Sequence, residues 1–450
     1  MIVGGWVRDA LLGVASSDID VEVFGMGAAR LEETLQAELP LILVGKAFAV
    51  YKVEGADVEF SLPRRDSLVG AGHRGFSVET LPELSFEEAA RRRDFTMNAM
   101  GLDPFTADLL DPWSGQAHLD ARMLEVVDPA RFGDDPLRVL RAAQFLSRFL
   151  LAPSPRLIGL SRSIGAEALP AERVFGEVGK LLRGARPSLG FRFLLLTGWI
   201  RFLPEIAALI GLPQEAQWHP EGDAWEHVLR SLDEAAAIRV GDDRRDLLLM
   251  LGVLCHDLGK APTTCCVDGR VRSMGHSEAG VALAAQLLTR MTTDRSIIAA
   301  VEKLVRWHLA PDFLFAQAAT PAAVRRLARR LAPDVDIELL ERCSRADYRG
   351  TSDRGGQAYP AGTWLLDTAR AAGVLVRAEE PVLLGRHLLA AGLAPGPMIG
   401  VLLRNAYEIQ IDEDIHDVLA LRDRVMAAPL PLAGGGGSSS EEDGEGVPGI

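Results

Sequence analysis

Cysteine is scarce in this chain. The 450 residues hold four, at Cys255, Cys265, Cys266 and Cys343, and none is spaced as CxxC. That pattern supports neither a thiolate metal knuckle nor a disulfide framework, and it predicts small buried thiols in a reducing, cytoplasmic compartment. Long apolar runs are missing too. No stretch of 18 or more uncharged apolar residues occurs, and no basic segment followed by an apolar core stands at the start, so neither a membrane-spanning helix nor a secretory leader is expected. Positive charge is in deficit, with Lys+Arg 48 against Asp+Glu 62 and a net charge of −14. A uniformly basic surface coating nucleic acid is thereby excluded. The deficit is uneven, because Pro136 to Pro220 holds 11 Lys+Arg against 5 Asp+Glu. A basic region inside an acidic protein can follow a phosphate backbone, or it can be an ordinary solvated face.

What is present reads as an ordinary globular composition, 48% apolar and 24% charged, too long for one compact core. Residues 1–125 mix short strands and helices, and ILVGKAFAVYKVEGADVEFSL (42–62) has the Val and aromatic runs, broken by Gly and Asp, of a β-meander. From about residue 126 the pattern is helical almost to the end, punctuated near Pro153–Pro155, Pro213 and Pro311. Residues 434–450, GGGSSSEEDGEGVPGI with the preceding glycine, lack apolar periodicity and read as disordered. The fold class expected is α+β: a mixed-sheet head followed by an all-α remainder.

Residues 18–24 read DIDVEVF. Alternation along a strand puts Asp18, Asp20 and Glu22 on one face and Ile19, Val21 and Val23 on the other. Neighbouring carboxylates repel unless something positive sits between them. Mg²⁺, which takes one or two carboxylates together with substrate phosphates, answers that need; a solvated edge face would also do. Upstream, IVGGWVRDALLG predicts a strand at Ile2 and Val3, a tight turn at Gly4-Gly5 and a helix from Trp6. Backbone N–H groups of such a turn can cradle a triphosphate, with Arg8 adding charge. Further on, DDPLRVLRAAQF (134–145) lets Asp135 cap a helix with Pro136 at its first position, and puts Arg138 and Arg141 on one side. A carboxylate and a guanidinium together can read the Watson–Crick edge of cytosine or adenine, both of which carry an amino donor beside a ring acceptor. A capped surface helix with a salt bridge fits the same residues.

GGWVRDALLG…SDIDVEVF resembles the head of the class II tRNA nucleotidyltransferases, the CCA-adding enzymes and bacterial poly(A) polymerases. RRRDFTMNAM (91–100) resembles that family's RRDxTxNA segment, DDPLRVLRAAQF its EDxxR element, and AERVFGEV (171–178) the neck that follows; the likeness spans about residues 1–430. It implies a polymerase-β-like head. Asp18 and Asp20 would be catalytic, holding two Mg²⁺ ions that bind the triphosphate and activate a tRNA 3′-hydroxyl for in-line attack on the α-phosphate. Glu59 is a candidate third carboxylate. Gly5, Arg8, Arg93, Asp135, Arg138, Arg141 and Gln144 would bind CTP and ATP, with Asp135 and Arg138 on the base, Arg141 facing the phosphates, and Asp94 and Asn98 beside Arg93. Asp134 replaces the family's commoner Glu, Gln144 stands where many members carry a third helical arginine, and the chain begins almost on the glycine pair.

A second constellation lies downstream: His227 in AWEHVLRSLD, His256-Asp257 in LGVLCHDLGK, His276 in GHSEAG, His308 in LVRWHLA and Asp347 in SRADYRG. Four of the chain's nine histidines fall in this order, with His219 of WHPEGD as a further neighbour. Imidazole with carboxylate suits a divalent ion acting on phosphate. The order resembles an HD phosphohydrolase domain, which implies a metal (Mg²⁺, Ni²⁺, Mn²⁺ or Co²⁺) on His227, His256, Asp257 and Asp347, with His276 and His308 as further candidates. It also implies hydrolysis of 2′-phosphate, 2′-nucleotide and 2′,3′-cyclic phosphate ends.

The expected partition is a nucleotidyltransferase head (1–125), a helical neck and body for template and tRNA (126–220), an HD domain (221–345), a helical C-terminal region (346–433) and the tail (434–450). Within the family, members that add only CC lack a flexible loop before the RRD motif; here residues 59–94 fill that place, with Gly70, Gly72 and Gly75 for mobility. The acidic tail argues against the poly(A) polymerases, which usually end in a basic extension. Complete CCA addition is the expectation. An A-adding or poly(A) relative, a hydrolase with a degenerate head, and an RNA-binding protein without chemistry are the alternatives.

Overall fold

The computed structural model describes residues 1–45, 50–68, 76–166 and 169–427. The tail at 434–450 and the glycines Gly70, Gly72 and Gly75 lie outside the described residues. The chain divides into two compact units, Met1–Ala207 and Ala208–Ile450.

In the first unit the strands are β1 (Ile2–Val3), β2 (Ile19–Glu22), β3 (Leu41–Gly45), β4 (Val50–Val53), β5 (Val58–Ser61), β6 (Arg64–Leu68), β7 (Phe76–Thr80), β8 (Gly101–Leu102) and β9 (Leu109–Leu110). Seven form one mixed sheet in the order β3-β4-β5-β2-β1-β8-β9, and β6 pairs with β7 as a separate hairpin. The meander expected over 42–62 is β3-β4-β5, antiparallel throughout. Only β2 and β5 run parallel, in a register that sets Asp20 opposite Glu59. Helices α1 (Gly5–Leu11), α2 (Ala28–Glu38), α3 (Phe86–Ala90) and α4 (Gly115–Asp120) complete the head. Helix α2 buries Leu31 and Leu35, four residues apart and so on one face, against Tyr51 and Leu62.

A short parallel pair, β10 (Met123–Leu124) with β11 (Ala152–Pro153), flanks α5 (Leu137–Phe149). Then come α6 (Pro155–Ser163), α7 (Ala171–Leu182), α8 (Pro187–Leu196) and α9 (Pro204–Ala207). Helix α5 packs against both α7 and α8. The ring of Phe145 on α5 meets Phe95 edge-on at 5.6 Å, and Phe95 meets Phe132 at 5.9 Å. This apolar wedge ties the RRD segment of the head to α5, with each such aromatic pair adding roughly 0.5–1.5 kcal/mol beyond its burial.

The second unit contains α10 (Ala224–Ala237), α11 (Asp243–Cys255), α12 (Lys260–Thr263), the hairpin β12 (Thr264–Val267) and β13 (Arg270–Ser273), α13 (His276–Thr289), α14 (Arg295–Trp307), α15 (Ala310–Ala316), α16 (Pro321–Leu331), α17 (Ile337–Gly350), α18 (Pro360–Ala371), α19 (Gly385–Ala390), α20 (Pro397–Glu413) and α21 (Val418–Ala427). Residues Asp246 to Cys255 of α11 are all buried, which is why DLLLMLGVLC carries no polar face. Neighbours α10, α14 and α17 enclose it. Each Leu fully buried there stabilises the unit by roughly 1.5–3 kcal/mol.

Two expectations are corrected. The hairpin β12–β13 interrupts the helical part: Asp268 and Gly269 adopt φ of 53° and 75°, the two-residue turn that Asp-Gly favours between short strands. Cys265 and Cys266 lie on that hairpin and are exposed, whereas Cys255 and Cys343 are buried. Among the described residues no helix is long and apolar enough to cross a membrane.

Candidate active sites

The first site forms where β1 turns into α1. Gly4 has φ 76° and ψ −130°, a conformation open almost only to glycine. A Cβ there would sit 2.7 Å from Arg93 Nη1 and 3.4 Å from Asp20 Oδ2. The glycine turn, the DxD strand and the RRD arginine therefore converge on one point. Burial raises the pKa of Asp20, and the charges of Asp18 and Glu59 raise it further, against the opposing pull of Arg93. Glu22, expected on the same strand face, is instead fully buried and paired with Arg92 at 3.0 Å.

These groups open onto a polar cavity of about 680 Å³. Of the residues expected to bind nucleotide, Gly5, Arg8, Arg93, Asp135, Arg138 and Arg141 line it, together with Asp20; Asp18 does not line it, and Gln144 is buried on α5 away from the lining. Arg8 is buried, donating to Asn98 Oδ1 at 2.7 Å and Asp9 Oδ1 at 2.8 Å, with its guanidinium 4.6 Å from the Phe149 ring. Arg141 donates to Asp94 Oδ2 at 2.6 Å. Burial alone would push the Asp94 carboxyl up, but the Arg141 guanidinium and the Asn98 amide hold it below the usual carboxylate range. Asp135 accepts from the amide of Leu137, the first residue of α5, at 3.1 Å, although Pro136 and not Asp135 holds the cap position, and its other oxygen accepts from Arg173 at 2.7 Å. Arg138 spans two backbone carbonyls, of Arg131 at 2.7 Å and Arg92 at 3.0 Å.

Arg173, Glu177 and Lys180 on α7 also line the cavity, and sequence reasoning did not single them out. Their spacing of four and three residues was the available signal, since it puts all three on one helical face.

The second site is assembled from helix ends and two helix interiors. His256 caps the C-terminus of α11, His308 that of α14, and His276 opens α13. His227 and Asp347 come from within α10 and α17. Gly259 of HDLGK abuts the His276 carbonyl so closely that no Cβ fits, which lets Asp257 approach α13. The structure brings all six candidates together: His227 Nε2 lies 2.8 Å from Asp347 Oδ1, His256 Nε2 3.3 Å from Asp257 Oδ2, Asp257 Oδ1 3.5 Å from His276 Nε2, and His276 Nε2 3.3 Å from His308 Nε2. Among these six, two groups of three could each hold an ion, His227/His256/Asp347 and Asp257/His276/His308. Burial opposes charge on His256, yet Asp257 and Asp347 raise its pKa to about 10, whereas burial and the charge of His256 push His308 down to about 3. His219 belongs to a third such group, with Glu221 and His227: its Nδ1 lies 3.0 Å from Glu221 Oε1 and its ring 4.6 Å from that of His227. Sequence reasoning missed Glu221 and also Lys260, which lies 2.7 Å from Asp257 Oδ2 and donates to Gln214 at 2.6 Å. Glu221 sat unread inside WHPEGD.

Residues 1–125 match the family described as Poly A polymerase head domain, and residues 224–348 match the HD domain. The class is thus a nucleotidyltransferase head joined to an HD domain. The Multifunctional CCA protein of Xanthomonas oryzae pv. oryzae is 38% identical over 420 residues, covering 90% of this chain and 96% of its own. That of Chromobacterium violaceum is 37% identical over 377 residues, covering 81% and 88%. The chain belongs to the family of multifunctional CCA proteins. Its fold is shared with the Bacillus stearothermophilus CCA-adding enzyme in complex with CTP, at TM-score 0.65, 22% identity and 94% and 92% coverage. It is shared as well with the Thermotoga maritima CCA-adding enzyme complexed with tRNA, at TM-score 0.56, 19% identity and 95% and 90% coverage.

Proposed function

We propose that this protein adds C, C and A to the 3′ end of tRNA from CTP and ATP without a nucleic-acid template, and hydrolyses 2′,3′-cyclic phosphate, 2′-nucleotide and 2′-phosphate ends at its HD domain. The observation that carries the first activity is the polar cavity. It joins Asp20 and the glycine turn, on the head, to Asp135, Arg138 and Arg141 at the start of α5. A triphosphate held by the Gly4-Gly5 turn and Arg93 extends its base toward Asp135 and Arg138. One carboxylate acceptor and one guanidinium donor match cytosine and adenine alike, whose edges share a donor beside an acceptor, and mismatch uracil and guanine. Arg141, fixed by Asp94, adds positive charge on the phosphate side.

Both sites fit divalent cations, and both domain types depend on them. Burial and the charges of Asp18 and Glu59 raise the proton affinity of Asp20, a repulsion that a cation offsets. In the HD site the buried His256 Nε2 makes no hydrogen bond, although Asp257 Oδ2 lies 3.3 Å and Asp347 Oδ1 3.5 Å from it, as fellow ligands to a shared ion would. We read the head as a Mg²⁺ site on Asp18 and Asp20, and the HD site as taking Mg²⁺, Mn²⁺, Ni²⁺ or Co²⁺ on His227, His256, Asp257 and Asp347, with His276 and His308. When bound, the ions supply Lewis acidity at phosphate and lower the pKa of the attacking hydroxyl or water. The protein's groups supply orientation, base selection and exclusion of solvent. We assign the enzyme to the cytoplasm, and its chain to a head (1–125), body (126–220), HD domain (221–345) and C-terminal region (346–433).

The test is incubation with tRNA lacking CCA, CTP, ATP and Mg²⁺, with the products sequenced. Ends terminating in CCA support the reading; addition of A alone, or of an A tract, overturns it. Replacing Asp18 or Asp20 with Ala should abolish addition and spare hydrolysis of 2′,3′-cyclic nucleotides. Loss of both in a folded variant would refute two separate sites.

A further inference from the structure

The HD cluster contains a regularity in how its imidazoles are held. His256 Nδ1 lies 2.7 Å from the Val253 carbonyl, His308 Nδ1 2.7 Å from the Val305 carbonyl and His276 Nδ1 2.8 Å from the Ser273 carbonyl. A carbonyl only accepts, so each Nδ1 carries a proton, and in the neutral imidazole that a metal ion requires each Nε2 is left with its lone pair toward the interior of the cluster. The partner lies three residues back in every case. The Val253 and Val305 carbonyls are free because they stand in the last turns of α11 and α14, where backbone groups lack intrahelical partners, while Ser273 ends strand β13 just before α13.

His227 cannot use this device. It lies inside α10, whose preceding carbonyls serve the helix; its own amide already bonds the Asp223 carbonyl. Its Nδ1 instead meets Glu221 Oε1 at 2.8 Å, and its Nε2 points to Asp347. The segment WHPEGD explains how Glu221 arrives there. The Gly222 amide bonds the His219 carbonyl at 2.9 Å, closing a turn with Pro220 at its second position, and Gly222 takes φ 76°. Asp223 then caps α10, accepting from the amides of Trp225 and Glu226. The turn and cap fold the Glu221 side chain back over the first turn of the helix. It is 1% exposed, and its second oxygen accepts from the Ser352 amide at 3.1 Å.

We propose that Glu221 is a positioning residue of the HD site: it accepts the Nδ1 proton of His227, fixes the tautomer and ring orientation, and leaves Nε2 as the donor atom for a divalent ion. This rests on the reading of His227 as a metal ligand. A carboxylate partner also makes the imidazole a stronger ligand than a carbonyl does, and loss of such partners weakens metal affinity by about 10–100-fold. His219 donates to the same Oε1 and so competes for Glu221 rather than joining the ligand set.

The experiment is Mn²⁺ titration by calorimetry of the full-length protein, stripped with chelator, as wild type, Glu221→Gln, Glu221→Asp and Asp257→Ala, with the metal-free melting temperature of each measured alongside. Sites lost in Asp257→Ala define the HD isotherm. Glu221→Gln should keep the number of those sites and weaken them by about 10–100-fold. Should that variant fail to fold, Glu221→Asp, which keeps the charge but draws it back by one methylene, should still weaken binding. Unchanged affinity in a folded variant overturns the inference and leaves the metal site standing. A lost site with the remaining affinity unaltered also overturns it, making Glu221 a ligand in a His219/Glu221/His227 group. Wild type without Asp257-dependent Mn²⁺ binding overturns the metal reading and this inference together.

Discussion

Gly4→Ala is the most direct test of the nucleotide site, because it adds a single methyl group at the point where three motifs meet. Two penalties follow. The backbone at φ 76° and ψ −130° is closed to L residues at a cost of roughly 1–3 kcal/mol. The new Cβ would stand 2.7 Å from Arg93 Nη1, so one of them must shift. Arg93 is enclosed: its pKa is lowered by burial and by the adjacent Arg92, and its Nε already lacks a partner. The guanidinium therefore yields only by leaving Asp20 and the turn. A displacement of about 1 Å at a positioning group can cost on the order of 100-fold in rate. The expected outcome is a fall in melting of the first unit by about 2–4 °C for each kcal/mol, a loss near 100-fold in kcat/KM for CTP and ATP alike, and intact HD hydrolysis. A cycle with Arg93→Ala separates the terms. Removing the guanidinium relieves the clash but not the backbone strain, so the double variant should lose less activity than the two single losses summed. Wild-type nucleotide addition by Gly4→Ala, or strictly additive losses, would refute the convergence argument.

Arg138→Ala should blur the choice of CTP and ATP over UTP and GTP by about 1–3 kcal/mol, as for one lost bidentate contact; a uniform rate loss with unchanged selectivity would reduce Arg138 to its bonds with the Arg131 and Arg92 carbonyls. Arg173→Ala breaks the pair with Asp135, which is partly exposed on both sides, so stability should change by less than about 1 kcal/mol while KM for CTP rises; an unaltered KM would show that Asp135 needs no such brace. Asp257→Ala should fold, still add CCA and lose hydrolysis of 2′,3′-cyclic nucleotides, and chelation of the wild type should remove the same activity and lower the melting temperature of the second unit, by about 2.7 kcal/mol of stability where metal had stood at 100 times its Kd. Hydrolysis that survives both treatments would leave the HD cluster a structural feature.

Much of the fold was legible because its signals are local. Alternation marked β2 through Ile19, Val21 and Val23, glycine marked the β1–α1 turn, and Asp135-Pro136 marked the start of α5, each within a few residues. The hairpin at Thr264–Ser273 was equally legible in Asp268-Gly269, but the surrounding helical pattern masked it. Glu22 shows the limit. Period-2 reasoning set it on the face of Asp18 and Asp20, yet it is buried and pairs with Arg92, seventy residues away, and no pattern along one chain specifies that partner.

The same limit separates ligands from the residues that hold them. His227, His256, Asp257, His276, His308 and Asp347 could be picked out because histidine is rare here and a His-Asp pair at the end of an apolar helix is conspicuous. Their holders carry no such mark. Three are backbone carbonyls, two in the last turn of a helix and one at the end of a strand, and all are invisible in sequence. The fourth, Glu221, is one acidic residue among 62 Asp+Glu, and it becomes distinct only once His227 is seen inside a helix rather than at its end. The position of each histidine relative to its helix terminus therefore decides what must hold it, and a histidine in a helix interior predicts a side-chain acceptor brought in by the preceding turn.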